Sequence, residues 1–308
     1  MTGRAPGLGS GNAARDAAGR EAFGLGLALT GSIGLGAAIA VARLAYAEGA
    51  NGLSIAFPRA WLLVVLLLLF VWATGRRLGL PRAAWPHCLG CGAAMAYLFY
   101  GNIAAAAYIP APVAALLFFV YPPLTTLLAA ALDRRPPSPA RLGATLVAFA
   151  GLALMLGVGF AALDWRGVAL GLSAGALCAV QVTWVARALA RYDPVVTMLH
   201  MAGVAALCLT LAFLAVGGAP APTGAIGWTA LAVAATLQAA SIPLLYVALP
   251  VIGPERSGVL NNVQPVATIV VAWLLLGEAL GPLQLVGAAM ILGGILLMQR
   301  AARRERRT

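Results

Sequence analysis

Apolar runs follow one another along nearly the whole chain, separated by short polar or Gly/Pro-marked breaks. Each run is close to the ~20 residues that a helix needs to cross a bilayer. The pattern predicts ten membrane segments, near 22–46, 53–74, 86–107, 110–132, 139–160, 166–189, 194–216, 225–249, 255–276 and 281–299. The tightest breaks, 107–110 and 249–255, are marked only by Pro and Gly. Residues 1–21 are rich in Gly, Ala and Arg without an apolar period, so a disordered tail is expected there, and 300–308 forms a short basic tail. Ala45-Tyr46-Ala47 has the look of a leader cleavage site. The run before it is long and Gly-rich for a leader, and an even division of the segments needs it as a span.

Polar positions interrupt this pattern most sharply between Pro254 and Met298. Asn261, Asn262, Gln264 and Pro265 fall inside what must otherwise be a lipid-embedded helix. Such residues are tolerated in a bilayer only where something polar faces them. A weaker version occupies 110–156. Tyr121-Pro122 superposes on Gln264-Pro265, and thirteen residues later Arg135 matches Glu278. With a one-residue gap, Leu142-Gly143-Ala144 then matches Val286-Gly287-Ala288. Each match sits on the fourth and fifth segments of its half. Five is odd, so the halves must run through the membrane in opposite senses. The expected architecture is an all-α integral membrane protein of ten transmembrane helices in two inverted five-helix repeats, 22–160 and 166–299. Inverted repeats of this kind carry a substrate site near the midplane and support alternating access.

Composition fits a bilayer protein. The chain is 62% hydrophobic and 9% charged, with a mean hydropathy of +0.94, whereas soluble domains carry about 25% charged residues. The formal charge of +11 comes from arginine alone, since there is no lysine. It does not indicate nucleic acid, because the arginines are dispersed over short loops. With the N-terminus inside, seventeen of the twenty fall in cytoplasmic segments, all but Arg43, Arg59 and Arg166. The positive-inside rule therefore predicts cytoplasmic termini. Cys88, Cys91, Cys178 and Cys208 lie in apolar segments and make no disulfide framework. His87-Cys88-Leu89-Gly90-Cys91 lacks the second cluster that a zinc site of about four ligands requires. No metal and no cofactor are expected.

The stretches Asn261-Asn262-Val263-Gln264-Pro265, Trp273-Leu274-Leu275-Leu276-Gly277-Glu278 and Pro282-Leu283-Gln284-Leu285-Val286-Gly287-Ala288 resemble the closing signature of the EamA-type drug/metabolite transporters. Tyr108 to Leu156 resembles the first copy of that module, departing from it at Asp133-Arg134-Arg135, where the family has Gly-Glu. The resemblance spans about 22–299. It implies ten helices in two inverted halves and the export, sometimes uptake, of amino acids and other small metabolites.

Several polar side chains could line a cavity or bond neighbouring helices. The candidates are Tyr97, Tyr100 and Asn102 on the third segment, and Gln181 and Trp184 on the sixth. Gln238 and Tyr246 lie on the eighth, and Asn261, Asn262 and Gln264 on the ninth. The pairs Gln181/Trp184, Gln238/Ser241 and Asn261/Gln264 share the spacing of one helical face. Arg59, about six residues into the second segment, could meet a substrate carboxylate or snorkel to the external interface. No Asp or Glu lies deep in any segment, which argues against a cation-for-proton antiporter built on a buried carboxylate. His200 reads as a structural histidine that could also titrate. Glu278 reads as a helix-end residue.

The leading expectation is an inner-membrane secondary transporter that exports small metabolites, working as a monomer or homodimer, with a proton as a candidate coupling ion. A drug or organic-cation exporter and an uptake permease are the alternatives. An intramembrane enzyme is remote, since no nucleophile–base pair or metal constellation lies at depth.

Overall fold

In the computed structural model, all residues are described except 1–7, 106–107, 110, 137, 158–162, 278–280 and 306–308. Residues 8–17, 102–104, 111–112, 276, 302 and 305 are described in their backbone only. Twelve α-helices make ten membrane crossings among the described residues. They are α1 (Leu8–Ala47), α2 (Gly52–Ala73), α3 (Trp85–Ala105), α4 (Ala111–Phe118) with α5 (Tyr121–Leu132), α6 (Pro139–Leu156) and α7 (Trp165–Trp184). There follow α8 (Pro194–Ala215), α9 (Ala225–Ile252), α10 (Pro254–Asn261) with α11 (Val263–Leu276), and α12 (Pro282–Glu305). Nine of these crossings are long and apolar enough to span a bilayer by length and composition among the described residues. The tenth is α3, 21 residues long.

Helix α1 starts at Leu8 rather than near 22. The Ala-rich stretch from Asn12 to Ala22 has high helix propensity and no proline to stop it, so residues 8–21 extend the helix where a disordered tail was expected. Helix α12 likewise carries the basic end to Glu305.

Side-chain caps and backbone breakers set the boundaries. Asn51 Oδ1 accepts from the Ser54 amide at 2.9 Å, and Ser54 Oγ accepts from the Asn51 amide at 3.1 Å. This reciprocal box starts α2 by satisfying amides that no helical carbonyl can reach. Asp193 caps α8 through the amides of Val195 and Val196. Gly253 separates α9 from α10 at φ 81°, a left-handed conformation that a Cβ would disfavour, and Pro254 then opens α10 where its missing N–H costs nothing.

The fourth crossing of each half is broken at the same place. α4 gives way to α5 just before Pro122-Pro123, and α10 to α11 just before Pro265. A proline offers no amide to the carbonyl one turn earlier. The two halves also pack with a common register. Helix α6 lies on α12 through glycines: Gly151 approaches Gly287, and Gly294 approaches Ala144. A shift of 143 positions carries Ala144 to Gly287, Gly151 to Gly294 and Pro122 to Pro265. The two contacts thus exchange with each other, as a pseudo-two-fold requires. No gap is needed, which corrects the one-residue offset expected between the fifth segments.

The end that carries Glu21 of α1, the C-terminal ends of α2, α5 and α9 and the start of α8 is tied by ion pairs that join the two halves. Arg76 meets Asp193 at 2.5 Å, Arg141 meets Glu255 at 2.6 Å, and Arg187 meets Asp133 at 2.7 Å. Arg256, only 4% exposed, meets Glu21 at 2.7 Å and donates from Nε to Gln299 Oε1 at 3.0 Å.

Candidate functional site

A cavity of about 670 Å³ lies between the halves. It reaches from Tyr46, Asn51 and Gly52, at the α1–α2 turn, to Ser257 in the first turns of α10. Two broken crossings supply much of its wall: Ala114, Ala115, Phe118, Phe119 and Tyr121 from α4–α5, and Ser257, Gly258, Asn261 and Gln264 from α10–α11.

The 143-residue register also relates these walls. Met95 corresponds to Gln238, Ala114 to Ser257, Phe118 to Asn261 and Tyr121 to Gln264, and all eight line the cavity. At the first three pairs the first half contributes an apolar side chain and the second a polar one.

Of the residues singled out in the sequence, Arg59, Gln181, Gln238, Tyr246, Asn261 and Gln264 line this cavity. Arg59 is 7% exposed. Its Nη1 donates to Gln238 Oε1 at 2.5 Å, and its guanidinium lies 3.9 Å from the Phe99 ring centroid. It turns inward to the cavity, so the snorkelling alternative does not hold. Gln181 Nε2 donates to the Cys91 carbonyl at 2.7 Å, tying α7 to α3. Asn261 Nδ2 donates to the Tyr121 hydroxyl at 2.8 Å, and its Oδ1 accepts from Ser32 Oγ at 3.0 Å. That chain connects α1, α5 and α10.

Four candidates lie elsewhere. Tyr97 pairs its hydroxyl with Ser173 Oγ at 2.7 Å, bridging α3 and α7. Tyr100 is on the outer surface, as is Trp184, whose Nε1 donates to His87 Nδ1 at 3.2 Å. Asn262 is 1% exposed at the α10–α11 junction, apart from the cavity, with its Oδ1 unpartnered. Residues three apart on a helix differ by about 60° in direction, enough to turn Gln181 to the cavity and Trp184 to the surface. Neighbours differ by about 100°, which separates Asn261 from Asn262. The side chain of Asn102, and the whole of Glu278, lie outside the described residues. His200 Nδ1 pairs with the Val196 carbonyl at 2.8 Å, away from the cavity.

Sequence reasoning missed Tyr46, Phe99, Phe118 and Tyr121. Tyr121 carried a usable signal, because it is the repeat counterpart of Gln264. The rings of Phe99 and Phe118 are indistinguishable in sequence from lipid-facing ones.

A helical membrane protein of two repeats with a cavity between them defines the transporter class. The chain belongs to the EamA-like transporter family, whose profile matches residues 22–157 and 165–300. The starts of those stretches are themselves 143 residues apart. This places the protein in the drug/metabolite transporter superfamily. A solved crystal structure is similar over 90% of this chain and 99% of its own, with a TM-score of 0.76 at 20% identity, a likeness of fold. No curated protein matches the chain.

Proposed function

We propose that this transporter exports small metabolites such as amino acids across the inner membrane by alternating access, with both termini in the cytoplasm. The observation that carries this reading is the cavity between the halves, walled by matched positions of both repeats. A site at a repeat interface changes sides when one half rocks against the other. The arginine-rich ends and the ion pairs Arg76–Asp193 and Arg256–Glu21 lie together; the positive-inside rule makes that end cytoplasmic. In this arrangement the cavity faces outward, and the ion pairs between the halves close the inner side. Arg59, Gln181, Gln238, Tyr246, Asn261 and Gln264 would contact the substrate.

The test is flux. Purified protein is reconstituted in liposomes preloaded with a panel of amino acids, carboxylic acids, amines and other small metabolites, and counterflow is followed. Transport of at least one panel member above protein-free vesicles is expected. Asn261→Ala and Gln181→Ala should lower it several-fold without lowering the yield of folded protein. No flux across the panel from well-folded protein defeats the transport reading. Unchanged flux in both variants removes these residues from the substrate path.

A further inference from the structure

We infer that Arg59 seats an anionic group, and that the cavity takes carboxylates with an apolar body in preference to zwitterions and cations of the same shape. This rests on the transport reading above and specifies its substrate class.

Three observations converge on Arg59. Its guanidinium is buried, with neutral partners only: the Gln238 amide oxygen and the face of Phe99. Its Nε has no hydrogen-bond partner. Among the described residues, no Asp or Glu lines the cavity. A buried charge without a counter-ion is costly, and the field of a buried charge is screened less than that of an exposed one. An anion entering the cavity relieves that cost, and a cation adds to it. Arg also offers a planar fork that suits the two oxygens of a carboxylate.

The opposite pole does not offset this bias. The Asn261 amide is committed on both sides, to Tyr121 and to Ser32, and among the described residues no carboxylate lines the cavity to pair with a substrate ammonium. The remaining wall favours an apolar body. Met95, Ala114 and Phe118 stand where the other half has Gln238, Ser257 and Asn261, and Phe99 covers the guanidinium. Ligand sites of 300–1,000 Å³ hold most of a small organic molecule's surface, so about 670 Å³ suffices for an aromatic or branched acid.

The probes are 3-phenylpropionate, L-phenylalanine and 2-phenylethylamine, which present one ring as an anion, a zwitterion and a cation at pH 7.5. Thermal stabilisation of the purified protein gives a half-effect concentration for each, and vesicle flux is measured in parallel. The acid should act at a concentration at least tenfold below the other two. Arg59→Gln should raise that concentration at least tenfold, and Arg59→Lys should recover part of the loss. Size-exclusion profiles verify folding; if Arg59→Gln does not fold, the ranking of the probes on the unaltered protein decides. Failure of the acid to stabilise the protein, or equal action of the amine or the amino acid, overturns the inference. Flux of phenylalanine or the amine without preference for the acid does the same while leaving the transport reading intact. Absence of flux across the whole metabolite panel instead strikes the transport reading.

Discussion

Replacing Gly287 with alanine tests how the two halves lock together. A Cβ there would lie 2.5 Å from the Gly151 carbonyl oxygen, 2.6 Å from the Met155 amide nitrogen and 2.7 Å from the Met155 Cβ. Two of these atoms are backbone, so no rotamer change relieves the contact and α6 must move away from α12. Overpacking of this kind costs about 1–3 kcal/mol. Alanine gains about 0.5–1 kcal/mol over glycine within a helix. The expected net loss is therefore on the order of 1–2 kcal/mol. Gly143 and Gly293, on the same two helices, have nothing within 4 Å of an added Cβ, so alanine at either should be neutral or stabilising. The assay is thermal unfolding of the purified variants in one detergent, followed by tryptophan fluorescence. Gly287→Ala should melt a few degrees below the unaltered protein. Gly294→Ala should do likewise, because its Cβ would meet the Ala144 carbonyl oxygen and the Ala148 amide nitrogen, each at 2.8 Å. A Gly287→Ala protein that melts as high as the unaltered one, or a Gly143→Ala protein that falls as far, refutes the close glycine interface.

Arg256→Gln removes a buried guanidinium that ties α10 to Glu21 on α1 and to Gln299 on α12. Hydrogen bonds to a charged group contribute about 1.5–3 kcal/mol each, so a clear drop in melting temperature is expected, and an unchanged one would remove this tie from the account. Single cysteines at Gly281 and Ser138, in a background without the native cysteines, should be labelled by an impermeant reagent from outside and inside respectively. Labelling of both from one side would contradict the inverted repeat.

The fold was largely legible because lipid imposes a simple rule: long apolar runs with satisfied backbones. Pro122, Pro123 and Pro265 sit at the two broken crossings, where a missing amide leaves a backbone carbonyl without its helical partner. The site was legible only in part. The amides at 181, 238, 261 and 264 stood out against an apolar background, and they line the cavity. Tyr97 and Trp184 stood out equally but bond across the outer faces of helices. Polarity alone does not say whether a side chain faces a cavity or a neighbouring helix. The repeat paired Tyr121 with Gln264, but only Gln264 stood out as a site candidate, and the gap expected between the fifth segments hid the exchange of the α6–α12 contacts. Tyr46 sits at a helix end, where a ring reads as an interfacial anchor.

The central claim is that the cavity between the repeats opens to each side in turn. A single cysteine at Ala115, on the cavity wall, measures this in sealed vesicles of known sidedness. With the ion pairs intact, an impermeant thiol reagent should reach it from the face of the α1–α2 turn. With Arg76–Asp193 and Arg256–Glu21 broken by substitution, labelling should rise from the opposite face and fall from the first. Labelling confined to one face in both proteins would contradict alternating access through this cavity.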